Sequence, residues 1–207
     1  SPLPAPEPEW LAGLASEKEI KQALMAHAAS PLKPRELAEQ YQQVLARREI
    51  DNNLRRINEA GGKALYRSVD LRDQAAVAAV LEEVCQECGP VKGLVHGAGV
   101  LADRLIVDKT LEQFEQVYAT KVNGLRSLLA AVDGSTLKFM ALFSSSTGRF
   151  GRTGQVDYAV ANEVLNKMAQ QQARLSPDCR VVSLNWGTWD GGMVTPALKK
   201  LFEQEGV

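Results

Sequence analysis

This chain of 207 residues has few cysteines, no long apolar run and no excess charge of either sign. Cys85, Cys88 and Cys179 make an odd set, so no disulfide framework is expected. Cys85 and Cys88 form a CxxC, but it lies in the helical pattern AAVAAVLEEVCQECG with neither a second pair nor a nearby histidine. A structural zinc or redox role is therefore not expected, and no metal is assigned. No apolar run approaches the roughly 20 residues of a membrane span, and the opening SPLPAPEPEW lacks a signal-peptide pattern, so the expected compartment is the cytoplasm. The 24 basic and 25 acidic residues are interspersed, which excludes a basic stripe for nucleic acid and a polybasic membrane anchor. Small molecules and proteins remain as partners.

What is present is an apolar share of 45% in a chain long enough for one domain with a sizeable core. Residues 1–8 carry proline at every second position and read as an extended connector. Residues 9–29 and 34–58 are rich in Ala, Leu, Glu, Lys, Gln and Arg, with SPLKP as a break between two expected helices and Gly61-Gly62 as a stop. The rhythm then changes. Strands are expected at 63–69 (KALYRSV), 91–95, 138–144 and 180–186, alternating with helices at 73–88, 111–132 and 155–174. Short apolar strands alternating with long helices describe an α/β fold of βαβ units, hence a parallel sheet covered on both faces.

In such sheets ligands bind beyond the carboxyl ends of the strands. The residues there are Asp70 and Leu71, then His96 to Gly99, then Ser144 to Ser146, then Gly187 to Asp190. Small, polar or glycine residues at all four ends match a binding edge better than a set of plain turns.

Tyr158 and Asn162 are four residues apart and share one helix face, with Ser145 at the mouth of the preceding strand. A phenol can protonate a developing alkoxide, but its ordinary pKa of about 10 must be lowered by a nearby cation for it to act well near neutrality. Lys167 falls on a different face, which leaves Lys121, in ATKVNG on the preceding helix. A lysine in an apolar helical stretch is also the pattern of a snorkelling surface side chain, and the residues alone leave both readings open. Equally, His96 reads as a hydrogen-bonded histidine at a strand end, Asp70 as a helix cap, and NWGTW as a strand terminus with Trp186 and Trp189 in the core.

The motifs HGAGVLAD, TKVNG, LFSSSTGRFGRTGQVDYAVANEVLN and LNWGTWDGGMV, in this order and spacing, closely resemble the ketoreductase domains of polyketide and polyunsaturated fatty-acid synthases over residues 91–207. These are members of the short-chain dehydrogenase/reductase family. The resemblance implies a Rossmann-type doubly wound parallel sheet, here incomplete at both ends and with an α-helical insertion at 9–47 before a core at 48–207. It implies a swapped tetrad in which lysine sits on the earlier helix and YxxxN on the later one. Tyr158 would be the general acid, Ser145 would hydrogen-bond the carbonyl oxygen, and Lys121 would lower the tyrosine pKa and organise a proton relay with Asn162.

The same resemblance implies NADPH as cofactor. Asp70, beside Leu71, would hold the adenine; His96, Gly97, Ala98 and Gly99 would pass close to the ribose and nicotinamide. Asn185, Trp186 and Gly187, with Gly192 and Met193, would flank the nicotinamide ring. The implied partner is an acyl carrier protein bearing a β-ketoacyl group on phosphopantetheine, within a synthase of several domains. Leu101-Ala102-Asp103 resembles the leucine-aspartate-aspartate motif of B-type ketoreductases with its middle residue replaced, and Phe150 lies where the A-type places tryptophan. A B-type product of D (R) configuration is expected, with Asp103 and Phe150 on the substrate side. Two alternatives are a non-catalytic nucleotide-fold module of a synthase and a short-chain reductase of a free small molecule.

A glycine-rich pyrophosphate turn is the missing element: no GxGxxG occurs, and Gly61-Gly62 follows a helix rather than a strand. The chain is accordingly expected to begin after the second strand of the family fold and to stop at the start of the substrate lid. Such a piece would leave unpaired strand edges and would not bind NADPH with normal affinity on its own.

Overall fold

In the computed structural model, which describes residues 7–189, helix starts follow the capping residues. Ser16 accepts a hydrogen bond from the Glu19 N–H while the Glu19 carboxylate takes the Ser16 N–H, and this capping box opens α1 (Glu17–Ala26). Residues 9–13, expected to be helical, form turns instead: Gly13 takes a left-handed φ of 81° that ends them, and Ser16 starts the helix afresh. Pro34 stands at the first position of α2 (Pro34–Glu59), where its missing N–H costs nothing.

The chain divides into two compact units, Ser1–Ser68 and Val69–Val207. The first is an α-helical pair around Leu11, Ile20 and Leu24, with Leu37, Tyr41 and Val44 of α2 packed against them. Burying Ile20 completely contributes about 1.5–3 kcal/mol. Arg48 of α2 ties down the turn ahead of α1: its guanidinium pairs with Glu7 and donates to the carbonyls of Leu14 (2.6 Å) and Leu11 (2.9 Å).

The second unit is a parallel α/β layer. Asp73 accepts from the Ala76 N–H to start α3 (Gln74–Cys88). Then follow β1 (Gly93–His96), α4 (Leu111–Tyr118), a π turn (Ala119–Asn123), α5 (Gly124–Ala131), β2 (Phe139–Ser145), the short α6 (Thr147–Phe150), α7 (Val156–Leu175) and β3 (Arg180–Trp186). The sheet order is β1-β2-β3, all parallel, with Val95 opposite Ala141 and Ser145 opposite Trp186. Its core joins Leu94, Met140 and Leu142 of the sheet to Leu125 of α5 and Leu165 of α7.

Three expectations are corrected. Residues 63–69 form no strand, since a strand exists only through a partner's N–H and C=O groups and β1, β2 and β3 pair with one another alone among the described residues. The helix over 111–132 is not one α-helix: the π turn interrupts it. Among the described residues the sheet is packed on one face by α5 and α7, while Val95 and Phe139 on the opposite face are exposed. No helix among the described residues is long and apolar enough to cross a membrane, and none of their His, Cys, Asp and Glu side chains cluster in threes to hold a metal. Cys85 and Cys88 are exposed and free.

Candidate active site

The π turn decides where Lys121 goes. A π turn widens the helical circuit by a residue, which rotates the following side chains, and here Lys121, Val122 and Leu125 all become buried against the sheet. His96, at the end of β1, donates from Nε2 to the Lys121 carbonyl at 2.8 Å; a carbonyl can only accept, so this nitrogen carries the proton. Lys121 is 2% exposed, donates from Nζ to the Phe143 carbonyl at 3.1 Å and lies over the Tyr158 ring, 5.3 Å from its centre. Burial brings its ammonium from the ordinary 10.5 down to about 8. The backbone after β1 comes close to this side chain at Gly99: a Cβ there would sit 3.0 Å from Lys121 Cε and 3.3 Å from Nζ.

Tyr158 and Asn162 occupy the first turns of α7. Asn162 Nδ2 donates to the Tyr158 carbonyl at 2.8 Å, and Ser144, at the end of β2, donates its hydroxyl to the Asn162 carbonyl at 3.0 Å. Asn162 is fully buried, and its Oδ1 has no hydrogen-bond partner among the described residues. Ser145 Oγ accepts the Thr147 N–H at 3.1 Å where α6 begins. That turn sits directly on α7, since a Cβ at Gly148 would meet Asn162 Cβ and the Glu163 nitrogen at 3.1 Å. Burial pushes the Tyr158 phenol above its ordinary 10; the polar Asn162 and Ser145 side chains nearby pull it partly back, and the Asp103 charge adds to the rise. Burial thus sets the direction of the shift, while the Lys121 ammonium stands over the same ring.

The structure thus brings Lys121, Tyr158, Asn162 and the end of β2 together, and it distributes the other expected residues differently. Gly97, Ala98 and Gly99 follow β1 toward this site, whereas the His96 ring is turned into the core, 2% exposed. Asp70 is exposed and its carboxylate is held by Arg72 (2.6 Å), which keeps it at about 2; Asp73, not Asp70, caps α3. Leu71 lies beside Gly124, where α5 begins. Asn185 and Trp186 end β3 and Gly187 follows it, and Trp186 forms an aromatic cluster with Phe143 and Trp189 that stays part-exposed rather than joining the core. Asp103 accepts from Gln155 Nε2 at 2.8 Å. Phe150, at the end of α6, is 88% exposed. Met193 and Gly192 lie outside the described residues.

Three features escaped the sequence reading: the π turn, the His96 bond to Lys121, and a buried ion pair between Lys109 and Asp157 (2.7 Å) next to Tyr158. Asp157 could be noticed as an acid in the first turn of a helix, but that position ordinarily reads as a dipole partner in water.

The family model described as KR domain matches residues 21–191. The chain is 44% identical over its whole length to a polyunsaturated fatty acid synthase polypeptide of Thraustochytrium sp., of which it covers 8%. It is 38% identical over 68% of its length to polyketide synthase PksL of Bacillus subtilis, of which it covers 3%. A ketoreductase domain from the bacillaene assembly line superposes with a TM-score of 0.66 at 29% identity, over 90% of this chain and 45% of that one. PlmKR1, the ketoreductase from the first module of phoslactomycin biosynthesis in Streptomyces sp. HK803, gives the same score at 32% identity, over 72% of this chain and 34% of that one. The chain therefore spans a small part of the curated relatives and less than half of the solved domains. With the family model covering most of its length and the Rossmann-type sheet superposing on solved ketoreductases, the chain belongs to the KR domain family of polyketide and polyunsaturated fatty-acid synthases.

Proposed function

We propose that this chain carries the catalytic core of an NADPH-dependent reductase that turns a β-ketoacyl thioester, held on the phosphopantetheine of an acyl carrier protein, into the β-hydroxyacyl thioester of D (R) configuration. The reaction belongs to a cytoplasmic synthase of several domains, with residues 1–8 as a connector and 9–47 as a helical insertion ahead of the core at 48–207. The observation that carries the reading is the buried Lys121 over the Tyr158 ring, with Asn162 one turn further along α7.

The residues fit a nicotinamide cofactor. Gly97, Ala98 and Gly99 keep bulk away from the mouth of β1, and Asn162 Oδ1 is a buried acceptor with no partner among the described residues. These, with Asp70, Leu71, Asn185, Trp186, Gly187 and Met193, would hold it. The cofactor supplies a hydride when bound.

The chain supplies the proton and its alignment. Tyr158, kept protonated by its raised pKa, donates from its hydroxyl to the carbonyl oxygen as that oxygen gains charge. Ser145 Oγ hydrogen-bonds the same oxygen, and stabilisation that grows with the charge is what lowers the barrier. Lys121 offers its positive charge to the phenolate left behind, in a site where burial strengthens the attraction. Asn162 fixes the Tyr158 carbonyl and so the rotation of the acid on its helix. Asp103 borders the substrate side.

The test uses the full-length protein with NADPH and a β-ketoacyl N-acetylcysteamine thioester, beside Tyr158→Phe. Thioester-dependent loss of NADPH absorbance that collapses in the variant supports the reading. No NADPH loss by the wild type would favour a non-catalytic nucleotide-fold module, and a fully active variant would remove Tyr158 as the acid.

A further inference from the structure

The segment between β1 and α4 has no regular structure, and Leu105, Ile106 and Val107 within it are 52%, 72% and 83% exposed. Apolar burial of these three residues therefore does not set its position. What holds it is polar. Lys109 Nζ donates to Asp157 Oδ2 (2.7 Å) and to the Ala102 carbonyl (2.8 Å), and the two ion-pair side chains are only 4% and 0% exposed. The other oxygen of Asp157 accepts the backbone N–H of Tyr158 (2.9 Å). Two further bonds run alongside: Arg104 N–H to the Gly154 carbonyl (2.9 Å), and Gln155 Nε2 to Asp103 (2.8 Å).

Removing two charges from water is costly, and a buried pair is seldom retained for stability alone, since apolar groups of similar size do as well. Its value lies in direction: both partners must meet at one point, and here that point joins residues 102–109 to the first turn of α7. We propose that Lys109 and Asp157 are positioning residues, a clamp that sets Tyr158 and the Ala102–Asp103 backbone in one frame so that the acid meets its substrate at a fixed angle. The role rests on the reductase reading above. Neither residue touches the reacting atoms; both act through Tyr158, where a displacement of about 1 Å can cost about a hundredfold in rate.

The test compares the full-length wild type with Lys109→Met, Lys109→Arg and the double variant Lys109→Met/Asp157→Leu, which removes both charges at once. The double variant is expected to fold, with its thermal midpoint and its Kd for NADPH close to the wild type, while kcat falls about tenfold or more with little change in KM. Amide hydrogen exchange at residues 103–105 and 158 is expected to quicken, and Lys109→Arg, which keeps the cation, to retain more kcat than Lys109→Met. A folded double variant with wild-type kcat and unchanged exchange would overturn the proposal. So would equal loss in Lys109→Arg and Lys109→Met if the double variant does not fold. Absence of reductase activity in the wild type would remove the catalytic reading instead, and the exchange rates would still decide the clamp: quickened at these amides they support it, unchanged they overturn it.

Discussion

Lys121 and Tyr158 meet with the ammonium over the phenol ring, 5.3 Å from its centre, one residue on a π turn and the other in the first turn of α7. The contact places a cation and an acid side by side in a buried space, and the two respond to that burial oppositely. The lysine is lowered to about 8 and the tyrosine is raised above its ordinary value.

The high-pH limb of kcat should therefore belong to Lys121 rather than Tyr158. Activity is expected to fall as pH rises through about 8, where the ammonium loses its proton. In Lys121→Arg, whose cation does not titrate, that limb should move to higher pH, while Lys121→Met should lose about a hundredfold or more in kcat. A limb that stays near 8 in Lys121→Arg would take the titration away from this residue.

Stability should show the same group with a definite sign. The unfolded chain holds the lysine proton up to the ordinary 10.5, whereas the folded chain gives it up near 8, so between these values the unfolded state binds more protons. Stability carried by this group thus rises with pH across that window, by up to about 3 kcal/mol. Urea unfolding at either end of the window should show the rise in the wild type and not in Lys121→Met.

His96 should prove a structural support of the lysine. Its ring is buried and its folded pKa is lowered, mainly by desolvation, so it stays neutral while the unfolded chain takes up a proton below about 6.5. Stability carried by this group is accordingly present above that value and is lost as pH falls. His96→Phe removes the donor to the Lys121 carbonyl and is expected to cost about 1–3 kcal/mol by urea unfolding, with a loss of kcat as the π turn relaxes. Unchanged stability and rate would mean that the turn holds itself.

Gly99→Ala should separate activity from folding. Its Cβ would meet the flexible end of Lys121 at 3.0 Å, which the side chain can escape by moving off the Tyr158 ring. The expected result is a large fall in kcat with a small shift in thermal midpoint. A wild-type kcat would show that the close approach is not required.

Much of this was legible in the chain. The alternation of apolar strands with helices marked the parallel sheet, β3 is found at the residues expected, and Tyr158 with Asn162 followed from helical spacing. Lys121 was readable only as one of two possibilities, because a lysine among apolar residues is buried or snorkelling according to which way its helix turns. A π turn has no spacing signature that would reveal that rotation in advance. Residues 63–69 failed as a strand for a related reason: their composition suits a strand, but pairing depends on what lies beside them.

The sequence by itself determined the local periods, the caps at Ser16 and Asp73, the proline that opens α2, and the residue types at the strand ends, since these depend on neighbours a few positions away. Tertiary structure alone decided the burial of Lys121, its tie to His96, and the Lys109–Asp157 clamp. Those follow from contacts between distant segments, where desolvation and close packing set the charge, and no short stretch of sequence contains both partners.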